Sequence, residues 1–128
     1  MADIGSENDP WCSHAFWDDV RLECHKAIAL KLLADPGAVT SRARSNLIRW
    51  LSLPGTDDRD IRLRAEWIRA LDRMPAPELA DFLVADTEDG RRLRQSSPFT
   101  GILTSEERDH ILVKCEQSAT AGLGPTRD

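Results

Sequence analysis

Apolar side chains recur along this chain every three or four residues, and that spacing constrains the fold more than any other feature. Trp17, Val20, Cys24, Ile28 and Leu32 form one series, and Val39, Ala43, Leu47, Trp50 and Leu51 a second. Ile61, Ala65 and Ile68 form a third, with Trp67 and Leu71 beside them. At 3.6 residues per turn each series shares one face of an α-helix, whereas a strand would need strict alternation. β-branched residues are scattered rather than clustered, so no strand competes. The expected fold class is all-α, a single compact bundle of about five helices with flexible termini.

Local signals set the boundaries. A first helix is predicted over residues 13–34. Asp35-Pro36 ends it and opens the second, because an Asp accepts from the free amides of a first turn and a Pro just inside loses no hydrogen bond. Pro54-Gly55 is a breaker. Thr56 then supplies a cap, and Asp57, Asp58 and Asp60 place negative charge where the helix dipole favours it, so a third helix runs to Arg73. Met74-Pro75-Ala76-Pro77 is a rigid connection to a short fourth helix marked by Leu79, Phe82 and Leu83. Beyond a polar break at 86–90, Arg91-Arg92-Leu93-Arg94-Gln95 reads as a helical turn or two. Thr104-Ser105-Glu106-Glu107 has the form of a capping box, opening a last helix to about Gln117. The expected core holds Val20, Ile28, Leu32, Leu47, Trp50, Ile61, Ile68, Leu71, Phe82 and Ile111. The helical domain spans residues 11–117, between tails at 1–10 and 118–128 whose lack of large apolar side chains predicts disorder.

Composition narrows the function classes. The 128 residues carry 17 Lys and Arg against 22 Asp and Glu, a net charge of −5, which excludes a strongly basic nucleic-acid coat. A chain of this length folds as one domain and buries roughly two thirds of its extended surface without metal or disulfide staples. No apolar run approaches a membrane span, and the acidic, polar first ten residues are the opposite of a signal peptide, so a cytoplasmic location is expected. Three cysteines, Cys12, Cys24 and Cys115, fit reduced thiols.

The cysteines and histidines fall in two regions, Cys12, His14, Cys24 and His25 in one and His110 and Cys115 in the other, which raises zinc. Helical geometry opposes it. His14 and Cys24 stand about 15 Å apart along a helix, Cys24 and His25 point about 100° apart, and His110 and Cys115 face different sides. No glycine-rich phosphate loop, H-E-x-x-H or G-x-S-x-G occurs, and thiols on apolar faces are held protonated by desolvation. The chain reads as a non-enzyme without metal or cofactor.

From Arg42 to Arg73 eight arginines face five acids. A DNA reader would use the helix carrying Thr40, Ser41, Arg42, Arg44, Asn46 and Arg49, since the next helix opens with three aspartates that repel phosphate. The competing reading is a solvated face with pairs such as Asp58 with Arg62 and Asp60 with Arg64. Of the four tryptophans, Trp17, Trp50 and Trp67 fall on core stripes. Trp11 precedes the first helix and either staples back or contacts a partner.

A helix opening His25-Lys26-Ala27-Ile28-Ala29-Leu30-Lys31-Leu32, two tryptophan helices around Trp50 and Trp67, and the run Leu93-Arg94-Gln95-Ser96-Ser97-Pro98-Phe99 before Thr104 together resemble small helical antitoxin-like proteins of bacteria and mobile elements. The resemblance covers about two thirds of the chain. It implies a non-enzymatic protein that neutralises a toxin by direct binding, with no catalytic residues to carry over. A recognisable DNA-binding domain, which many antitoxins have, is missing. The expected partner is a basic toxin or nucleic-acid enzyme, towards which an acidic chain is steered. The same physics would serve a phage or mobile-element inhibitor of a host defence nuclease complex, of the anti-CRISPR kind, and a DNA-binding regulator using residues 40–49 is the rival from another class.

The candidate partner-binding residues are Trp11, Arg91, Arg92, Arg94, Ser97 and Phe99. Arginine and aromatic side chains most often dominate binding energy, and here three arginines stand beside a proline-stiffened loop. The competing reading makes Phe99, Ile102 and Leu103 a plug over the core and leaves the arginines as solvated charge.

Overall fold

The structure, a computed structural model, describes residues 14–123 and the side chains of 15–119; Trp11, Cys12, the expected N-terminal tail and residues 124–128 lie outside the described residues. The described residues form six helices and no strand: α1 (His14–Ala34), α2 (Pro36–Leu51), α3 (Asp58–Arg73), α4 (Ala76–Leu83), α5 (Glu88–Arg94) and α6 (Ser105–Leu123). None of them is long and apolar enough to cross a membrane.

Most junctions follow from local chemistry. Asp35 serves two helices at once: its amide donates to Lys31 O at 2.9 Å, closing α1, and its carboxylate accepts from Ala38 N at 3.3 Å, capping α2. At the next corner Gly55 adopts φ +82°, a left-handed conformation that costs glycine little. The cap of α3 is one residue later than expected. Asp57 accepts from Asp60 N at 2.8 Å, while the Thr56 hydroxyl turns back to donate to Leu53 O at 2.8 Å. The capping box of α6 is complete, with Thr104 N donating to Glu107 Oε1 at 2.8 Å and Glu107 N to Thr104 Oγ1 at 3.1 Å.

Two element boundaries differ from expectation. The helical turn or two expected at Arg91 begins three residues earlier, where Thr87 Oγ1 accepts from Gly90 N, and becomes a sixth helix instead of part of a five-helix set. The last helix passes Gln117 and runs to Leu123. Once nucleated, a helix adds residues at little cost, and the alanines in this stretch favour continuation.

One buried cluster draws on every segment from α1 to the loop before α6. It includes Ile28, Leu32, Val39, Ala43, Leu47, Trp67, Leu71, Leu79, Leu83, Leu93, Phe99 and Leu103. α1 packs against α2, α4, α5 and α6, so apolar residues are needed on several of its sides. Trp67, fully buried, sits edge-on to both Phe82 and Phe99, with ring centroids 5.8 and 5.6 Å away, and its indole N–H donates to Leu93 O at 3.0 Å.

At α3 the core lies on a different face from the expected one. The expected stripe of Ile61, Ala65 and Ile68 is not the inner one: Ile61 is 41% exposed and Ile68 half-buried. The inner stripe is Leu63, Trp67, Ala70 and Met74, with Leu71, roughly 140° around the helix at 100° per residue. Both stripes have helical spacing. The tryptophan decides between them, because it buries the largest apolar area and its N–H has a carbonyl within reach. Val20, Trp50, Phe82 and Ile111 are half-buried at the margin, whereas Ile28, Leu32, Leu47 and Leu71 are buried as expected.

Candidate functional site

The segment expected to meet a partner runs from α5 into the loop before α6, and its side chains have divided duties. Arg91 stays at the surface, with Nη1 2.9 Å from Asp86. Arg92 forks onto Glu66 of α3, at 3.0 and 3.3 Å, and reaches Asp89 at 3.3 Å; these hydrogen bonds, Glu66 first, hold its proton more firmly than usual. Arg94 turns inward and is buried. Its Nη1 donates to Leu83 O at 3.1 Å and Ala85 O at 3.0 Å, satisfying carbonyls where α4 ends. Burial, and then the charge of Arg91, pulls its pKa below the ordinary arginine value. A Cβ at Gly90 would stand 2.7 Å from Ala85 O, so only glycine lets α5 come this close.

The loop from Ser96 to Gly101 is pinned from three directions. Trp67 packs edge-on against Phe99 from one side. Asn46, buried on α2, donates from Nδ2 to Pro98 O at 2.9 Å and Thr100 O at 3.0 Å. His25, buried on α1, lies 2.6 Å from Arg21 O through Nδ1 and 2.8 Å from Ser97 Oγ through Nε2. A carbonyl only accepts, so Nδ1 carries the proton, Nε2 accepts, and the Ser97 hydroxyl donates. Ser97 Oγ also accepts from Phe99 N at 3.2 Å.

A serine bonded to an oriented imidazole has the outline of a nucleophile and its base, with a neighbouring cleft of about 360 Å³ lined by Trp50, Arg64, Gln95 and Ser97. The electrostatics serve another purpose. Burial lowers the His25 pKa to about 4, helped by the charges of Arg94 and Arg21 and opposed by the Arg21 carbonyl. Such an imidazole draws a proton from serine poorly near neutral pH, and the Ser97 oxygen already takes the Phe99 amide. The pair acts as a latch between α1 and the loop.

Phe99 and Leu103 are buried and Ile102 half-buried, so the loop forms the expected plug. Of the candidate partner-binding residues, Arg94 and Phe99 are enclosed, Ser97 and Arg92 are half-buried and engaged internally, Arg91 is exposed, and Trp11 lies outside the described residues. The helix considered for DNA reading is similarly committed: Asn46 is inside, Arg44 pairs with Asp72 at 2.6 Å, and Arg49 donates to Asn46 at 2.9 Å. The pairs expected between Asp58 and Arg62, and between Asp60 and Arg64, are not formed among the described residues. Arg64 instead donates to Trp50 O at 2.9 Å and lies 5.7 Å from the Trp50 ring centroid.

Among the described residues no three His, Cys, Asp or Glu side chains are grouped to hold a metal ion. Cys24 and Cys115 are half-buried free thiols, and burial pushes both pKa values up. The feature that the sequence reading missed is the outer face of α1. Leu22, Lys26, Leu30 and Leu33 fall within about 80° of one another, and Leu30 is 71% and Leu33 49% exposed. The signal was present in the sequence, since α1 is apolar on more than one side. No family model, curated protein or solved structure matches the chain.

Proposed function

We propose that this protein is a non-enzymatic inhibitor of the antitoxin kind, a cytoplasmic helical bundle that neutralises a partner protein by direct binding. The observation that supports the reading is the leucine pair on the outer face of α1. Leu30 and Leu33 lie one turn apart on a helix whose other sides are already packed against four neighbours. Covering such side chains contributes about 1.5 to 3 kcal/mol each when burial is complete. A net charge of −5 steers the chain towards a basic partner, such as a toxin that acts on RNA or a host nuclease complex.

Affinity capture with the wild-type chain and with Leu30→Asp/Leu33→Asp tests this. Both substitutions are on exposed positions, so the circular dichroism spectrum stays helical. A basic partner retained by the wild type and lost by the variant is the expected result. A partner retained equally by both removes α1 as the contact face.

A further inference from the structure

α3 carries a second surface of opposite character. At 100° per residue, Arg59, Arg62, Glu66, Arg69 and Arg73 fall within about 80° of one another, in a row about 21 Å long. All four arginines are exposed, and no ion pair or side-chain hydrogen bond among the described residues engages any of them. The one acid in the row, Glu66, is taken by Arg92 of α5, which also holds Asp89. Asp72 is occupied by Arg44. Asp58 stands at the N-terminal edge of the row, and Asp57 and Asp60 lie at the same end of the helix. Beside the row runs a groove of about 290 Å³, where Arg69 and Arg73 stand with Met74 and Phe82, and where Glu66 and Asp89 are both paired with Arg92.

We infer that the face formed by Arg59, Arg62, Arg69 and Arg73 docks the phosphate backbone of duplex DNA without reading its sequence. A strand of duplex DNA presents a phosphate about every 3.4 Å of axis, so a row about 21 Å long passes about six of them and meets phosphate in any register. Carboxylates on a protein surface come at irregular spacings and would have to match it. Contacts to phosphate carry no sequence information, and the nearby Phe82 ring packs against Trp67, so among the described residues this face offers no exposed ring for the stacking that single strands require. Asp57, Asp58 and Asp60 oppose phosphate at the first turn, beside Arg59, but screening at physiological salt confines that repulsion to about 8 Å, short of Arg69 and Arg73, which lie about 13 Å or more farther along the axis. This surface goes beyond the protein-binding reading and lies on a different helix, so either can fail without the other.

Fluorescence anisotropy of a labelled mixed-sequence duplex, titrated with the full chain, tests it. Four neutralised phosphates predict that affinity falls about 150-fold between about 50 and about 200 mM salt. Arg62→Gln/Arg69→Gln leaves only about a 12-fold fall over the same range, because half the displaced counterions remain. Arg62→Lys/Arg69→Lys restores the steep dependence. The inference is overturned if the duplex is not bound at the lower salt, if the Gln variant binds as the wild type does, or if poly-glutamate is bound while duplex DNA is not. The wild-type salt slope and the Lys variant decide the matter even if the Gln variant fails to fold.

Discussion

Ser97 donates its hydroxyl proton to Nε2 of His25 across 2.8 Å, joining residues 72 positions apart and fastening the loop before α6 to the middle of α1. In this direction the bond exists only while the imidazole is neutral, because a protonated ring has no acceptor nitrogen for the Ser97 hydroxyl proton.

Stability should therefore depend on pH through His25. Its pKa is about 4 in the folded chain against an ordinary 6.5, so the unfolded chain binds the proton first as pH falls. The contribution is fully present above pH 6.5, declines between 6.5 and 4, and is lost below, in total about 3 kcal/mol. Urea denaturation at several pH values, compared with His25→Gln, checks this. A wild-type curve parallel to the variant's across that window would contradict it.

Two neighbouring arginines should behave differently on substitution. Arg94→Ala strips donors from the carbonyls of Leu83 and Ala85, each orphaned buried polar group costing about 1 to 3 kcal/mol. Arg92→Ala removes a more exposed, solvent-screened pair with Glu66 and should cost clearly less. Denaturation midpoints of the two single variants measure the contrast, and equal losses would refute the structural role given to Arg94.

Glycine replacements in two helices should move stability in opposite directions. In Gly90→Ala the new Cβ meets Ala85 O at 2.7 Å, so α5 must shift and the Arg94 contact to that carbonyl weakens; a loss of about 1 to 3 kcal/mol is expected. Gly37→Ala on α2 meets nothing within 4 Å and should gain up to about 1 kcal/mol from helix propensity. Thermal melting of both variants decides it.

What the sequence determined by itself is the local grammar of the fold. The all-helical class, the Asp35-Pro36 junction and the Thr104–Glu107 capping box rest on bonds between residues three or four positions apart, whose geometry backbone and side-chain type settle without outside help. Periodicity also located the apolar faces of α1 and α2. It could not choose between two stripes on α3 that share the same spacing; that choice needed Trp67 to find Phe82, Phe99 and the carbonyl of Leu93. Nor could it tell which of Arg91, Arg92 and Arg94 would turn inward, because the deciding partners lie at the end of α4 for Arg94 and on α3 for Arg92. Sequence left open whether the segment from Arg91 to Phe99 is a binding surface or whether Phe99 plugs the core; Phe99 is buried, and His25 and Asn46 hold the loop around it through Ser97, Pro98 and Thr100, while Arg91 stays exposed. Only the assembled fold left Leu30 and Leu33 uncovered and aligned four arginines of α3 without internal partners, because exposure is a property of what packs nearby and not of the residues themselves.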